Sequence, residues 1–428
     1  MEIFVLIFSF IVLVGIRVPI AWSIGIASVL TLLFSVDTIP AFTTISQRVA
    51  TGLDSFSLLA IPFFILAGHI MNSGGIAKRL IEFAKSLVGA LPGGLAHVNI
   101  VAAMMFGAIA GSAGAAAAAI GSFMSERMEK EGYTKEYGVA VNVTSATTGL
   151  LIPPSNIFII YSLASGGVSI GALFLAGYLP GILTGLILMA IALVWAKKKG
   201  FPTGKRSSLK HIMRSFFDAL PSLLLLIIII GGIVGGIFTA TEASSVAVVY
   251  CLILAFLYKE LNFSKLKTVL VESVGTISLV MLLIAMSIAM SWVMSYENIP
   301  QEVTSALLGF SDNPFVVIIL INLILLFVGI FMDMTPAVLI FTPIFLPVAV
   351  AMGIDPVHFG VIMILNLCIG LCTPPVGSVL FIGVGVANTT IQKVVKPLLP
   401  LFVGMLISLI LVIIFPFLSL WLPELFGF

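Results

Sequence analysis

Residues 149–154 read Gly-Leu-Leu-Ile-Pro-Pro, and residues 370–375 read Gly-Leu-Cys-Thr-Pro-Pro, 221 positions further along the chain. Each stretch lies inside a long apolar segment. Because proline lacks a backbone N–H and its ring clashes with the preceding turn, each Pro-Pro pair interrupts its helix. The shared glycine and Pro-Pro pair therefore predict an internal repeat in which each copy carries one broken membrane helix.

The composition around these stretches is that of a membrane protein. Of 428 residues, 60% are hydrophobic and 9% are charged, whereas soluble domains carry about 25% charged residues. So few charges cannot cover a surface that faces water, but a surface that faces lipid tails needs no such cover. The formal net charge of +2 gives no reason to expect a nucleic-acid partner. We predict an all-α polytopic protein of the lipid bilayer.

The sequence shows none of the signatures of an enzyme or of an ATP-driven motor. It contains no P-loop and no Gly-x-Ser-x-Gly nucleophile motif. Its four histidines have no metal-binding spacing. We therefore predict that the chain is not an enzyme and has no resident cofactor.

Ten apolar segments approach the roughly 20 residues that a spanning helix needs. They are residues 3–16, 18–35, 56–72, 137–163, 168–196, 217–238, 240–258, 270–295, 356–386 and 398–421. Two further segments, 94–125 and 314–350, have a glycine-rich or polar break near the middle. Because neither half is expected to be long enough to cross, we predict two re-entrant hairpins, whose irregular backbone must be covered by protein or line a wet cavity.

The basic residues predict the orientation. Seven of them and no acidic residue fall in the segment 197–216, namely Lys197, Lys198, Lys199, Lys205, Arg206, Lys210 and Arg214. Cytoplasmic loops carry an excess of Lys and Arg, so this segment is predicted to be cytoplasmic. Counting crossings from it leaves only Arg48 of the 20 basic residues outside, together with acidic residues such as Asp312. Both termini are then predicted to lie outside.

The repeat divides the chain into a first copy (1–196), a cytoplasmic linker (197–216) and a second copy (217–428). Each copy would contain five crossings and one hairpin, and because five is odd the copies would be inverted. Inverted repeats with paired interrupted helices are typical of secondary transporters, whose sites lie at the membrane midplane. The alternative is a chance alignment of two hydrophobic sequences.

The breaks in the two hairpins supply candidate binding residues. Ser112, with flanking glycines that include Gly114, is predicted at the tip of the first hairpin; the alternative is close packing of small residues. Asp333 is predicted at the tip of the second. A charge at the bilayer centre costs about 2.5–3.5 kcal/mol and usually marks an ion or substrate path. The alternative is an aqueous loop at Asp333, which would move Lys393 and Lys396 outside.

The Pro-Pro breaks free backbone carbonyls about one turn earlier, and nearby side chains add further oxygens. These residues are Thr147, Thr148, Gly149, Ser155 and Asn156 in the first copy, and Asn366, Gly370 and Thr373 in the second. Such oxygens suit a monovalent cation such as sodium. The alternative is a plain proline kink, which membrane helices tolerate.

Two other features are expected to be structural. Glu242 is placed to cap a helix N-terminus at the outer end of a crossing, although a functional role is the alternative. Residues 76–88 are amphipathic, and we predict a helix that lies flat on the cytoplasmic face.

Several motifs resemble the large membrane subunit of TRAP transporters. They are residues 61–68 (Ile-Pro-Phe-Phe-Ile-Leu-Ala-Gly), 106–112 (Phe-Gly-Ala-Ile-Ala-Gly-Ser), 151–155 (Leu-Ile-Pro-Pro-Ser) and 177–181 (Gly-Tyr-Leu-Pro-Gly). The resemblance extends over essentially the whole chain. It implies a subunit of the bacterial inner membrane that uses sodium ions to take up an organic acid. It also implies an elevator motion, in which a transport domain carrying both hairpins slides against a scaffold.

The resemblance implies two protein partners. One is a periplasmic substrate-binding protein, and the other is a small four-helix membrane subunit, expected here as a separate chain. With a bacterial inner membrane, the outside termini become periplasmic. Sialic acid is favoured as the cargo and a C4-dicarboxylate comes next. The alternatives are a stand-alone sodium/dicarboxylate-type carrier and an ion channel.

The resemblance also places ion sites at the hairpin tips and the broken helices that face them. The first predicted sodium site consists of Ser112, Gly114, Thr148, Gly149 and Pro154. The second consists of Asp333, Thr335, Gly370, Thr373 and Pro374. The substrate is predicted to contact Ser112, Ser155, Asn156 and Asp333.

Overall fold

The computed structural model describes residues 2–201, 203–204, 207–311 and 313–428, with the side chain of Ile109 left out. Lys205 and Arg206 of the predicted cytoplasmic linker, and Asp312 of the predicted outer loop, lie outside the described residues. Over the described part the chain is helical, and its only β-type pairing is an isolated bridge between Pro92 and Thr203.

Twenty α-helices, numbered in chain order, make up the described structure. The first ten are α1 (Glu2–Gly15), α2 (Ile20–Leu32), α3 (Thr38–Gly52), α4 (Ala60–Ser73), α5 (Ile76–Val88), α6 (Gly94–Ala110), α7 (Ala113–Lys130), α8 (Lys135–Thr148), α9 (Asn156–Ala164) and α10 (Ile170–Lys199). The second ten are α11 (Leu209–Val234), α12 (Ala240–Leu257), α13 (Phe263–Tyr296), α14 (Ile299–Phe310), α15 (Pro314–Phe331), α16 (Met334–Ala351), α17 (Pro356–Gly370), α18 (Ser378–Ala387), α19 (Ile391–Ile414) and α20 (Phe417–Leu425). Short 3₁₀ turns precede α4 (Phe56–Leu59) and follow α8 (Gly149–Leu151).

The helices confirm a polytopic membrane protein. Within the described residues eight helical segments are long and apolar enough to cross a bilayer, and the bent pair α8 and α9 would make a ninth. Large apolar side chains such as Phe4, Phe263 and Phe327 are more than 60% exposed on the outer surface of the bundle. Such exposure is favourable only against lipid or another protein.

Several helix boundaries differ from the sequence prediction. The predicted crossing 398–421 is divided between α19 and α20, whereas 356–386 is divided between α17 and α18 at the Pro-Pro break that the sequence predicts. Two helices, α3 and α14, were not predicted. Polar residues such as Gln47 and Gln301 interrupt the apolar pattern in these two helices, so the search for apolar runs missed them.

The reason given for the second hairpin was also wrong. Its halves, α15 and α16, have 18 residues each and are apolar enough to cross by length and composition. An 18-residue helix is about 27 Å long, close to the roughly 30 Å hydrocarbon core. Their length therefore does not decide whether they cross or turn back, and the position of the Asp333 turn must decide it.

The capping role of Glu242 and the helix at 76–88 are confirmed, while the position of that helix on the cytoplasmic face stays a prediction. Glu242 caps α12 in a reciprocal capping box: its carboxylate accepts the Thr239 backbone N–H at 2.8 Å, and its own N–H donates to the Thr239 hydroxyl at 3.3 Å. The predicted helix at 76–88 is α5. Its apolar residues, among them Ile76 and Leu80, are buried in contacts that include α6 and α11, so α5 packs against protein as well as bearing exposed charges.

Two pairs of glycines let helices cross at backbone contact. A Cβ built on Gly149 would stand 2.6 Å from the Cα of Gly107, and one built on Gly370 would stand 2.6 Å from the Cα of Gly329. Thus α6 crosses the end of α8, and α15 crosses the end of α17, where each Pro-Pro break begins. Small residues permit such close approach in membrane proteins.

We predict that Gly149→Ala destabilises the fold. Gly149 has an ordinary φ of −60°, so only the clash opposes a side chain, and overpacking of this kind costs about 1–3 kcal/mol. The melting temperature of the purified protein in detergent should fall. The control is Gly385→Ala, because nothing lies within 4 Å of a Cβ at Gly385. Equal melting temperatures for the two variants would contradict the close crossing.

Candidate functional site

A cavity of about 520 Å³ lies where the four interruptions of the helices meet. We call it the central cavity. Its wall contains residues 111–115 of the first turn, which joins α6 to α7, and residues 333–335 of the second turn (332–335), which joins α15 to α16. Residues beside the two Pro-Pro breaks also belong to the wall. Helices α4 and α13 complete the wall. Its polar side chains are His69, Asn72, Ser112, Asn156, Glu272, Thr276, Asp333, Thr335 and Ser378.

The first turn is built by a glycine and a serine. Gly111 ends α6 with a φ of +61°, a conformation that favours glycine. Ser112 then begins α7, and its hydroxyl accepts the backbone N–H of Ala115 at 3.3 Å. A Cβ at Gly111 would stand 2.7 Å from the side-chain nitrogen Nδ2 of Asn156. The first turn therefore rests directly on the start of α9.

The second turn is built around Asp333. This residue occupies the N-cap position of α16, yet its carboxylate accepts no hydrogen bond from that helix. It accepts one from the hydroxyl of Ser378 at 3.3 Å, and the N–H of Gly377 donates to the carbonyl of Ile330 at 3.0 Å. The second turn is therefore bonded to the start of α18, just after the second Pro-Pro break.

The structure brings together residues from both predicted sodium sites. Ser112, Gly114, Asn156, Asp333 and Thr335 all line the central cavity, although Ser112 and Asp333 are separated by more than 200 positions in the sequence. Their carboxylate, hydroxyl and amide oxygens are hard ligands, which suit hard cations better than soft ones. Within the described residues no group of three or more His, Cys, Asp or Glu could hold a metal ion.

The other predicted site residues lie behind the cavity wall. The Thr148 hydroxyl donates to the carbonyl of Thr144 at 3.0 Å, and that of Thr373 donates to the carbonyl of Ile369 at 2.7 Å. Gly149 and Gly370 form the two helix crossings. Pro154 follows one cis peptide bond and Pro374 precedes another.

Ser155 is also buried and outside the cavity lining. Its hydroxyl has no hydrogen-bond partner among the described residues. In this conformation the residues behind the wall form the backbone of the two Pro-Pro breaks. An ion-binding role for them stays a prediction.

Sequence reasoning missed the opposite wall. His69 and Asn72 lie one turn apart on α4, and Glu272 and Thr276 lie one turn apart on α13. A signal was present, because ionisable residues within membrane helices usually face a cavity or a partner. His69 and Glu272 both fall inside predicted crossings, but nothing in the sequence indicates that the two side chains share a wall.

The charges of the cavity are unevenly distributed. Its titratable residues among those described are His69, Glu272 and Asp333, and no Lys or Arg belongs to the wall. Asp333 is exposed to the cavity and Glu272 is exposed on the surface of α13. The described wall therefore carries two carboxylates and one imidazole.

Broken helices and paired turns around one polar cavity define the class of secondary transporters. The chain belongs to the tripartite ATP-independent periplasmic (TRAP) transporter family, DctM component, whose model matches residues 7–418. It is therefore a large permease subunit of a TRAP transporter and not an enzyme.

Relatives support this assignment along the whole chain. The chain is 55% identical to the "Uncharacterized protein YgiK" of Salmonella typhimurium, over 99% of this chain and 98% of that protein. It is 42% identical to the sialic acid TRAP transporter large permease protein SiaM of Vibrio cholerae, over 89% of each chain. It is 41% identical to the isethionate TRAP transporter permease protein DctMQ of Oleidesulfovibrio alaskensis, over 94% of this chain and 63% of that longer protein.

A solved structure shares the fold at low identity. The YdaH transporter of Alcanivorax borkumensis superposes with a TM-score of 0.66 and 13% identity, over 90% of each chain. At this identity the likeness concerns the architecture alone.

We predict that Gly111→Ala impairs transport more than Gly132→Ala. Both glycines have positive φ, so either substitution costs about 1–2 kcal/mol of backbone strain. Only at Gly111 would the new Cβ also push Asn156 along the cavity wall, because nothing lies within 4 Å of a Cβ at Gly132. Uptake rates and melting temperatures of both variants should be compared. Equal loss of uptake at equal stability would contradict the contact between the first turn and α9.

Proposed function

We propose that this TRAP permease couples the inward flow of sodium ions to the uptake of an organic acid, and that the central cavity holds both. The observation that carries the proposal is the meeting of both turns and both Pro-Pro breaks around one cavity that contains Asp333. Oxygen ligands and a single acidic turn suit a cation, and interrupted helices supply backbone groups for an anion.

The spacing of the helices supports an inverted repeat. α7 begins at Ala113 and α16 at Met334, 221 positions later. The same offset separates the starts of α8 (Lys135) and α17 (Pro356), and of α10 and α19. This offset also pairs Ser112 with Asp333. The N-cap residue of α7 therefore carries a hydroxyl, and the N-cap residue of α16 carries a carboxylate. We propose two copies, 1–196 and 217–428, related by inversion in the membrane.

The contacts of the turns support re-entrant hairpins. α8 and α9 together pass as one span, bent by 53° at the first Pro-Pro break. If α8 and α9 together cross the membrane, the break between them lies inside the membrane. The first turn packs on the start of α9, directly after that break. The second turn is bonded to the second break in the same manner. Both turns would then lie at membrane depth, and Asp333 would not be part of an aqueous loop.

The cavity supports an inward-facing conformation. His69 and Asn72 stand near the end of α4, shortly before Lys78 and Arg79, and Glu272 follows the first basic residues of α13. By the excess of positive charge these helix ends are cytoplasmic. We propose that both hairpins, with α9 and α18, move as one body against α4 and α13, which would carry the cavity across the membrane.

The driving force is adequate for concentrative uptake. One charge moving down 100 mV releases roughly 2.3 kcal/mol, so two or more sodium ions would support steep accumulation. The names of the relatives support an organic acid as the cargo. One is named for sialic acid and another for isethionate at nearly equal identity, so identity alone does not select between them. We favour sialic acid and place a C4-dicarboxylate next.

The partners follow from the family. TRAP large permeases work with a small membrane subunit and a substrate-binding protein, and the DctMQ relative is longer than this chain. We propose a small four-helix subunit and a periplasmic binding protein of the bacterial inner membrane system as partners here.

The sodium test uses proteoliposomes that contain the permease and the small subunit, with the binding protein outside. Radiolabelled N-acetylneuraminate, isethionate and succinate are supplied under an inward sodium gradient or an equal potassium gradient. We expect one acid to accumulate with sodium only. Asp333→Ala and Asp333→Asn should abolish the sodium stimulation, while Ser112→Ala should be milder because backbone oxygens remain.

The control for Asp333 is Asp37→Asn. Asp37 also stands at an N-cap without a side-chain capping bond, on α3 and away from the cavity, so uptake should persist. Accumulation that ignores the sodium gradient would refute the coupling. Uptake without the binding protein would favour a stand-alone carrier, and currents far above carrier turnover would favour a channel.

The orientation makes a separate prediction. Alkaline phosphatase fused to either terminus should be active in whole cells, and green fluorescent protein at the same positions should remain dark, since both ends would be periplasmic. A fusion after Lys199 should show the reverse pattern. Fluorescence from a fusion after Phe428 would contradict the predicted count of crossings.

A further inference from the structure

His69 faces the central cavity with both ring nitrogens unused. It lies on α4, half-buried in the wall, and no hydrogen bond joins its ring to another described residue. A neutral imidazole carries one N–H donor and one acceptor nitrogen, and a protonated ring carries two donors. The ring therefore has free hydrogen-bonding capacity in the direction of the bound cargo.

Glu272 gives the ring its charge balance. It lines the same cavity from α13, which packs on α4. The only other titratable group in the described wall is Asp333, across the cavity on the second turn. The other helices packed on α4, namely α5, α6, α9 and α12, contribute no titratable group to that wall. A protonated imidazole would thus be balanced by Glu272, while Asp333 remains for a cation.

An organic anion meets a difficulty in this cavity. Without Lys or Arg in the described wall, an acid cargo would face two carboxylates unless something neutralises them. Sodium at the second turn can balance Asp333, but Glu272 lies on the other wall. His69 is the one wall side chain that can both balance Glu272 and donate a hydrogen bond to an anion.

We propose that His69 is a cargo-binding residue that donates to the carboxylate or sulfonate of the acid on the α4–α13 wall, with Glu272 as its positioning residue. Asn72 and Thr276, one turn further along each helix, supply neutral groups for cargo hydroxyls. Because His69 and Glu272 lie toward the cytoplasmic ends of their helices, this contact is made on the release side. The inference rests on the proposed organic acid uptake.

The test measures binding from the release side by exchange. Proteoliposomes that contain the permease and the small subunit are loaded with increasing concentrations of unlabelled acid. Labelled acid is supplied outside on the binding protein, and its exchange for the unlabelled acid inside is measured. The acid used is the one of N-acetylneuraminate, isethionate and succinate that the wild type accumulates. His69→Gln should raise the luminal concentration of acid that gives half-maximal exchange by about tenfold. This is the change expected when one charge-assisted hydrogen bond is lost.

Charge variants separate binding from structural support. His69→Lys keeps a cationic donor and should retain most of the wild-type affinity. His69→Gln/Glu272→Gln should bind better than His69→Gln alone, because no unbalanced carboxylate remains. The control is His211→Gln, an exposed position on α11 that is outside the cavity wall, and its affinity should match the wild type.

The outcomes are distinguishable. If the wild type accumulates an acid and His69→Gln exchanges with unchanged half-maximal concentration, the role of His69 is refuted while the proposed function stands. Equal losses in His69→Gln and His69→Lys would also refute it, because structural support alone would then explain the effect. If the wild type accumulates none of the three acids under any gradient, the proposed function and this inference both fail.

Discussion

The peptide groups of a helix that stops inside a bilayer find no water, so neighbouring protein must satisfy them. If the breaks and turns lie at membrane depth, as we propose, this constraint governs the central region of the permease. The segment after the second Pro-Pro break is tied to the second turn by the bond from Ser378 to Asp333 and to the end of α15 by the bond from Gly377 to Ile330. The break after α8 lies at the glycine crossing with α6. Each break therefore depends on a turn, and each turn on a break.

The same dependence explains why the cavity is polar. A turn that ends one helix and begins another presents a cap residue, here Ser112 in one half and Asp333 in the other. Caps, hydroxyls and Asn156 then line one space of about 520 Å³. The opposite wall on α4 and α13 adds His69 and Glu272, and we propose that cationic and anionic ligands bind on different sides of this one cavity.

Much of this arrangement was readable in the sequence, because it rests on local chemistry. The Pro-Pro pairs located both breaks, and the glycines around Ser112 and the isolated Asp333 located both turns. Family motifs led to the TRAP transporters, which the family match confirms. The prediction failed where the signal was not local. α3 and α14 are too polar to register as apolar runs, and the length of α15 did not reveal whether it turns back. His69 and Glu272 are about 200 positions apart, and only the packing of α4 on α13 makes them neighbours.

The central claim is that both turns lie near the middle of the membrane and meet at one cavity. An electron cryo-microscopy map of the permease with its small subunit, in lipid nanodiscs and in sodium, measures this depth directly because the bilayer boundaries are visible. The account predicts that Ser112 and Asp333 lie in the central part of the roughly 30 Å hydrocarbon core, on the same cavity. A map with Asp333 at the level of the lipid headgroups, and α15 and α16 each crossing the bilayer, would contradict it.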